Sequence, residues 1–297
     1  MKITVTGSTG RISGTLTKLL VAQGHSVTVV SSSADRRKEI EDMGAAAAIG
    51  TLEDIDFLTA AFTGADAVYC MVPPNNFFDH SLDVIAYYRR VGENYAQAIR
   101  QAGVKRVVHL SSIGAHMESG SGIIMGHYYV EQALRELVGV AVTHMRPVYF
   151  YYNLLPYIHQ IKKAGLIAAN YGGDDPVPMV APADIAAAVA DELAMPASGN
   201  KIRYVASDEV TCNEAAAVLG AAIGMPDLKW IMVSNEDVVK GMVAAGMAPR
   251  IAEGLVEMYA SLHEGILSAD YYRNRPEVMG VVKLDEYAKE FAAEFAR

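Results

Sequence analysis

The chain has 297 residues, enough for one large domain or two smaller ones at about 150 residues each. Hydrophobic residues make up 52% and charged residues 20%, which is a globular composition that excludes a disordered chain and one in need of a disulfide or metal staple. With 25 Lys+Arg against 34 Asp+Glu the formal net charge is −9, which argues against a nucleic-acid partner, since such binding rests on clustered cations.

The predicted elements alternate. Lys2 to Thr6 is a short β-branched strand, and Gly7 to Gly14 a glycine-rich turn. Thr15 to Gln23 reads as a helix with Leu16, Leu19 and Leu20 on one face and Gly24 at its end. Ser26 to Val30 is the second strand, Ala34 to Met43 a polar helix and Ala45 to Ile49 the third strand. Ile55 to Phe62 is a helix, Ala67 to Val72 the fourth strand, and Leu82 to Ala102 a long helix. Arg106 to Leu110, Val130 to Leu137 and Ala141 to Met145 continue as strand, helix, strand. Such alternation predicts right-handed βαβ units in a parallel, doubly wound (Rossmann) α/β sheet, because strands apolar on both faces require helices on both sides.

Beyond about residue 150 the alternation weakens. Helices are expected over 153–165, 180–193, 213–224, 235–245, 249–267 and 283–297, with one strand at Lys201 to Ala206. The expected organisation is a dinucleotide-binding domain over 1–152 and a smaller, mainly helical substrate-binding part over 153–297 that interleaves with the sheet. Cys70 and Cys212 form no CxxC pair and no His/Cys cluster stands near them, so neither a zinc site nor a disulfide framework is expected. The N-terminal run lacks the apolar core of a signal peptide, and the most apolar stretch, 138–158, is broken by His144, Arg146, Pro147 and Pro156. A cytoplasmic protein without membrane contact is the expectation. Tyr- and Met-rich helical surfaces fit core and interface equally, so monomer and homodimer both stand open.

The turn Gly7-Ser8-Thr9-Gly10-Arg11-Ile12-Ser13-Gly14 carries the most specific signal, because it follows a strand and opens a helix. Gly7 permits a tight turn, Gly10 lets the backbone approach a pyrophosphate, and the helix N-terminus offers free N–H groups to the anion. The second strand ends in Ser31, Ser32 and Ser33, with Arg36 and Arg37 just after and no carboxylate before Asp35. Hydroxyls and guanidinium groups suit a 2′-phosphate, so NADP(H) is expected over NAD(H), and Arg11 is a further candidate for that phosphate.

GSTG with Ser13, HLSS at 109–112 and HMRPVYFYYNLLP at 144–156 resemble the NmrA-like branch of the atypical short-chain dehydrogenases/reductases, and the resemblance runs over almost the whole chain. The branch includes NAD(P)H-dependent quinone reductases and redox-sensing regulators. The resemblance implies that Gly7, Thr9, Gly10, Arg11 and Ile12 hold the phosphates and that Thr51 and Leu52 flank the adenine. It further implies that Met71, Val72, Pro73 and Pro74 lie beside the nicotinamide ribose, with Ser111 and Pro147 at the crevice edge. Two departures stand out. Ser13 replaces the usual glycine, and Ser32 stands where relatives often carry arginine.

The Tyr-x-x-x-Lys pair of the wider superfamily is missing. Tyr128 + 4 is Gln132, Tyr129 + 4 is Ala133, and no Lys occurs between Lys105 and Lys162. Relatives of the branch often keep the Lys in K-x-x-x-E-x-x-L; here Glu131 and Leu134 fill the last two positions and His127 takes the first. His127 is thus a candidate general acid or cofactor contact, with Tyr128 and Tyr129 as alternative proton donors. Phe77 and His80 after the fourth strand, and Tyr149, Phe150, Tyr151, Tyr152 and Asn153 after the sixth, are candidates for an aromatic substrate wall, with part of Tyr149 to Tyr152 equally readable as core, His80 as a solvated loop residue rather than a catalyst, and Tyr271 and Tyr272 either closing the pocket or packing between helices. Hydride transfer to a quinone needs geometry more than a protein acid. The expected activity is therefore reduction of a quinone or other conjugated carbonyl by NADPH. The rival readings are a non-catalytic NADP(H) sensor and, further off, an epimerase-like enzyme acting on nucleotide sugars.

Overall fold

A computed structural model of the chain describes residues 1–73 and 75–297. The first half runs β1 (Lys2–Val5), α1 (Ser13–Ala22), β2 (Ser26–Ser31), α2 (Arg37–Asp42), β3 (Ala46–Ile49), α3 (Ile55–Phe62), β4 (Ala67–Cys70), α4 (Val84–Ala102), β5 (Arg106–Leu110), α5 (Met125–Arg135) and β6 (Ala141–Pro147). The second half runs β7 (Tyr149–Phe150), α6 (Tyr157–Ala164), β8 (Leu166–Ala169), β9 (Pro176–Val180), α7 (Pro182–Ala194), β10 (Lys201–Val205), β11 (Asp208–Thr211), α8 (Cys212–Ala222), β12 (Lys229–Met232), α9 (Asn235–Ala244), α10 (Pro249–His263), α11 (Ala269–Arg273) and α12 (Leu284–Phe295).

Seven strands form the central sheet in the order β10-β6-β5-β4-β1-β2-β3, every pairing parallel. The strand order reverses beside β1, which places a crevice at the carboxyl ends of β1, β2 and β4. One face is sealed by α1 and α7, whose Leu16, Leu20, Ile185 and Val189 are fully buried. The other is sealed by α3, α4 and α5 through Leu58, Phe62, Val91, Tyr95, Ile99, Val130 and Leu134. Strands apolar on both faces are buried on both, as the sequence predicts.

The region after β6 is helical but also holds two small sheets that the sequence does not announce, β11-β9-β7 and β12-β8. Pro176 and Pro178 disguise β9, and Ala-rich β8 lacks β-branched density. The strand expected at 201–206 is β10, the edge strand of the main sheet beside β6. The helix expected from 153 begins at Tyr157, after Pro156. The helix expected from Val130 begins five residues earlier, at Met125, so that His127, Tyr128 and Tyr129 are helical. A third core lies inside the second region, around Tyr151, Tyr171, Trp230 and Phe291. A fourth seam joins the two regions, where Phe77, Leu82 and Tyr88 pack on Val84, Ala248, Ile251 and Leu255. Among the described residues no helix is long and apolar enough to cross a membrane.

Candidate functional site

The glycine turn sits at the carboxyl end of β1. Gly7 has φ 94°, and a Cβ there would meet Ser13 Oγ at 2.3 Å and the Met71 side chain at 2.8 Å. Ser8 N–H donates to Val30 O at 3.1 Å and its hydroxyl to Ser31 Oγ at 2.9 Å, which ties the turn to the end of β2. Gly10 N–H closes on Gly7 O at 3.2 Å, and among the described residues that oxygen is the only atom a Cβ on Gly10 would meet within 4 Å. The backbone at Gly10 is therefore open to close approach. Helix α1 has no side-chain cap at Ile12, and among the described residues the amides of Arg11 and Ile12 have no backbone acceptor. Free amides at a positive dipole end fit a pyrophosphate. Ser13 is buried, and α1 still closes through Gly14 N–H to Gly10 O at 2.7 Å.

At the end of β2, Ser31 is buried and donates to Ser33 O at 3.3 Å, whereas Ser32 is exposed. Arg36 pairs with Glu39 at 2.7 Å and Arg37 with Glu41 at 3.7 Å, all on the surface. Leu52 O accepts from Asn94 Nδ2 at 3.0 Å, and Thr51 Oγ1 accepts from Glu53 N–H at 3.3 Å. Arg11 is exposed but not unpaired. Its guanidinium pairs with Glu290 of α12 at 3.0 Å and stands 5.6 Å from the centre of the Tyr152 ring.

At the end of β4, Met71 N–H donates to Thr6 Oγ1 at 2.8 Å, and the Tyr95 hydroxyl donates to Met71 O at 2.6 Å. These bonds fix the strand end beside the turn. Val72 is buried in the α3–α4 core and Pro73 is half-buried, while Pro74 lies outside the described residues. Ser111, just past β5, is buried and donates its hydroxyl to Glu131 at 2.6 Å. Glu131 also accepts Arg146 Nε at 2.9 Å, Arg146 Nη2 at 2.8 Å and Arg135 at 2.7 Å. Burial pushes the Glu131 carboxyl up, but Arg146, His144 and the Ser111 hydroxyl together outweigh it, and the group lies below the usual carboxylate range. Arg146 reaches on to Asp270 at 3.2 Å, which accepts from Tyr204 at 2.7 Å. Pro147, at the end of β6, is buried.

His127 projects from α5 one turn before Glu131. Its ring meets Tyr88 edge-on at 4.9 Å, and its Nδ1 is buried without a partner among the described residues. Burial pushes its pKa to about 4, against the opposing pull of Glu131. It is neutral at pH 7, so it can give or take one hydrogen bond but carries no imidazolium proton there. Tyr128 and Tyr129 pack edge-on to one another at 5.4 Å, with Arg89 4.7 Å from the Tyr129 ring centre.

The aromatic run after β6 divides. Tyr149 is buried, and its phenol is engaged by Tyr171 at 3.0 Å and Asn153 O at 3.3 Å, so the structure puts it in the core rather than in an open wall. Tyr151 stacks on Tyr287 at 5.0 Å. Phe150 and Tyr152 are half-buried with ring centres 5.0 Å apart, and burial pushes Tyr152 up to about 12. The two-residue strand β7 ends at Phe150, and a short 3-10 turn over Tyr151–Leu154 follows, within which Tyr151 is buried and Tyr152 half-buried. Across the seam, Phe77 packs toward α10, and His80 Nε2 meets Gly246 O at 3.2 Å. Tyr271 is buried and donates to Glu209 at 2.6 Å, so it packs between elements and closes no pocket.

Three residues have no counterpart among the sequence-based candidates. Tyr88 faces His127. His116, on the loop after β5, is half-exposed, with its Nδ1 buried and unpartnered among the described residues. Asp270 comes from α11, 124 residues beyond Arg146. No local motif announces any of them.

The profile of the NmrA-like family matches residues 1–273. Over 298 residues the chain is 28% identical to an NAD(P)H azoreductase of Xenophilus azovorans, covering 99% of each protein. Over 257 residues it is 28% identical to a (4-alkanoyl-5-oxo-2,5-dihydrofuran-3-yl)methyl phosphate reductase of Streptomyces griseus, covering 86% of this chain and 85% of that protein. Among solved structures, NADPH-dependent quinone oxidoreductase from Escherichia coli, complexed with NADPH, superposes with TM-score 0.82 at 19% identity, over 97% of this chain and 99% of that one. Citrobacter sp. triphenylmethane reductase complexed with NADP(H) does so with TM-score 0.78 at 22% identity, over 98% and 100%. At these identities the two structures share the fold.

Proposed function

This chain belongs to the NmrA-like family, and from that premise we propose that it is an NAD(P)H-dependent reductase that passes hydride to a flat, conjugated acceptor such as a quinone. The observation that carries the reading is the turn at 7–14, where among the described residues the amides of Arg11 and Ile12 have no backbone acceptor and the backbone of Gly10 is open to close approach. The azoreductase relative, matched along almost its full length, supports a reductase over an epimerase. So does the lack of Tyr-x-x-x-Lys, which epimerisation through an alcohol would want.

In this reading Gly7, Thr9, Gly10, Arg11 and Ile12 hold the phosphates. Ser31, Ser32, Ser33 and Arg36 face the 2′-phosphate of NADP(H), with Glu39 giving up its pairing with Arg36, Thr51 and Leu52 face the adenine, and residues 31–34 include no carboxylate. Met71, Val72, Pro73, Ser111 and Pro147 bound the nicotinamide end. His127 serves as a neutral hydrogen-bonding group, and Phe77, Phe150, Tyr152 and Asn153 line the acceptor side. The bound cofactor supplies the hydride, and the acceptor takes up one proton from water to balance it. The chain's own task is to orient, to exclude water and to present apolar surface.

The test is NADPH or NADH oxidation on addition of a quinone or azo dye. Saturable turnover supports the reductase. Tight cofactor binding without turnover of any acceptor supports the sensor reading.

A further inference from the structure

Arg11 sits on the glycine turn, between Gly10 and Ile12, whose backbone is the part of the crevice open to an anion. Its guanidinium is the cation of that turn, and it is already taken. Glu290, 279 residues away on the C-terminal helix α12, holds it at 3.0 Å. Tyr152 lies beneath it at 5.6 Å. The helix is anchored at that spot, since Tyr287, less than one turn before Glu290, stacks on Tyr151 at 5.0 Å. The ion pair is accessible, with Arg11 54% and Glu290 49% exposed, so a ligand can reach and exchange it.

We infer that Glu290 is an internal competitor for the cofactor: it occupies Arg11 in the free protein and yields it to the diphosphate of the bound dinucleotide. This rests on the cofactor reading above and adds a second role for α12, that of setting the affinity and release rate of the cofactor from outside the dinucleotide-binding half. A diphosphate brings two negative charges to Arg11 and to the amides of the turn, where Glu290 brings one charge to Arg11 alone. The exchange therefore runs toward the cofactor, but each binding event must first displace the carboxylate. Removing that carboxylate while keeping its shape should tighten binding and slow release.

The experiment is a double-mutant cycle on the full chain, with wild type, E290Q, R11M and E290Q/R11M. The dissociation constant for NADPH is read by titration and the release rate by stopped-flow chase at two salt concentrations. E290Q should tighten NADPH by about two- to five-fold, the range of an exposed ion pair, mostly through slower release. R11M should weaken it, and E290Q should then change nothing in the R11M background. The gain from E290Q should shrink at high salt. Both residues are exposed, so thermal melts within a few degrees of wild type are expected and serve as the folding control. An unchanged affinity in E290Q overturns the inference. So does an equal gain in the R11M background, which would report general repulsion rather than competition for Arg11. If wild type binds neither NADPH nor NADH, the cofactor reading itself fails, and that result is distinct from either.

Discussion

The Arg146 guanidinium and the Glu131 carboxylate meet through two hydrogen bonds, 2.9 and 2.8 Å long, with neither side chain more than 1% exposed. A pair this deep is not a strong source of stability, because desolvation cancels most of the attraction, but breaking it strands a charge. It joins α5, which carries His127, to the end of β6 and, through Asp270, to α11. Glu131→Gln should cost about 3–5 kcal/mol of folding stability, read by urea denaturation at pH 7. The double variant E131L/R146L should cost less than the single one.

A second buried pair sets the acid limit of the fold. His109 and His144 face each other across β5 and β6, with their Nδ1 atoms 3.0 Å apart. Burial holds His109 well below its ordinary value and brings His144 to about 4. Both folded values lie under the unfolded value of about 6.5, so between these limits the unfolded chain binds more protons. Stability should hold steady above pH 7 and fall as pH drops from about 6.5 toward 4. Urea midpoints at pH 7.5, 6 and 5 check this. Replacing both residues by Leu should make the acid limb shallower, the remainder coming from His127 and His116, which burial also holds low.

Gly7 tests the turn. At φ 94°, with Ser13 Oγ only 2.3 Å from where a Cβ would stand, Gly7→Ala combines backbone strain with a clash. It should destabilise by about 1–3 kcal/mol and remove cofactor binding, whereas Gly24→Ala, also at positive φ but with open space around it, should cost about 1 kcal/mol and leave binding intact. Melting curves and the NADPH titration separate the two effects.

His127 distinguishes a hydrogen-bonding role from an acid. Because it is neutral above about pH 4, turnover should show no rise or fall near pH 6.5 that depends on it. His127→Asn keeps a neutral donor and should retain most turnover, while His127→Phe should raise the KM for the cofactor several-fold. A limb near pH 6.5 in wild type that vanishes in His127→Asn would mean that the imidazolium takes part.

The central strands are legible in the sequence because their cause is local: they are β-branched runs between glycines, and the turn at 7–14 needs only its own residues and their place between strand and helix. What stays hidden depends on partners far apart in the chain. Arg146, Glu131 and Asp270 form one network across 15 and 124 residues, and no spacing rule links them. His109 and His144 are paired only because β5 and β6 are neighbours in one register. Arg11 reads as a free cation in the sequence and is bound to α12 in the fold. Tyr149 and Tyr151 stand beside Phe150 and Tyr152 in the sequence, and only the fold gives them buried partners, Tyr171 and Tyr287.

The most direct test of the central claim is a paired titration of the purified chain with NADPH and NADH, followed by energy transfer from Trp230 and the tyrosines or by heat, and then by addition of a quinone. The account predicts saturable binding of NADPH, weaker binding of NADH, and cofactor oxidation once the quinone is present. Binding of neither dinucleotide would contradict it at its root, because the open amides of the glycine turn would then serve no cofactor and the reductase and sensor readings would fall together.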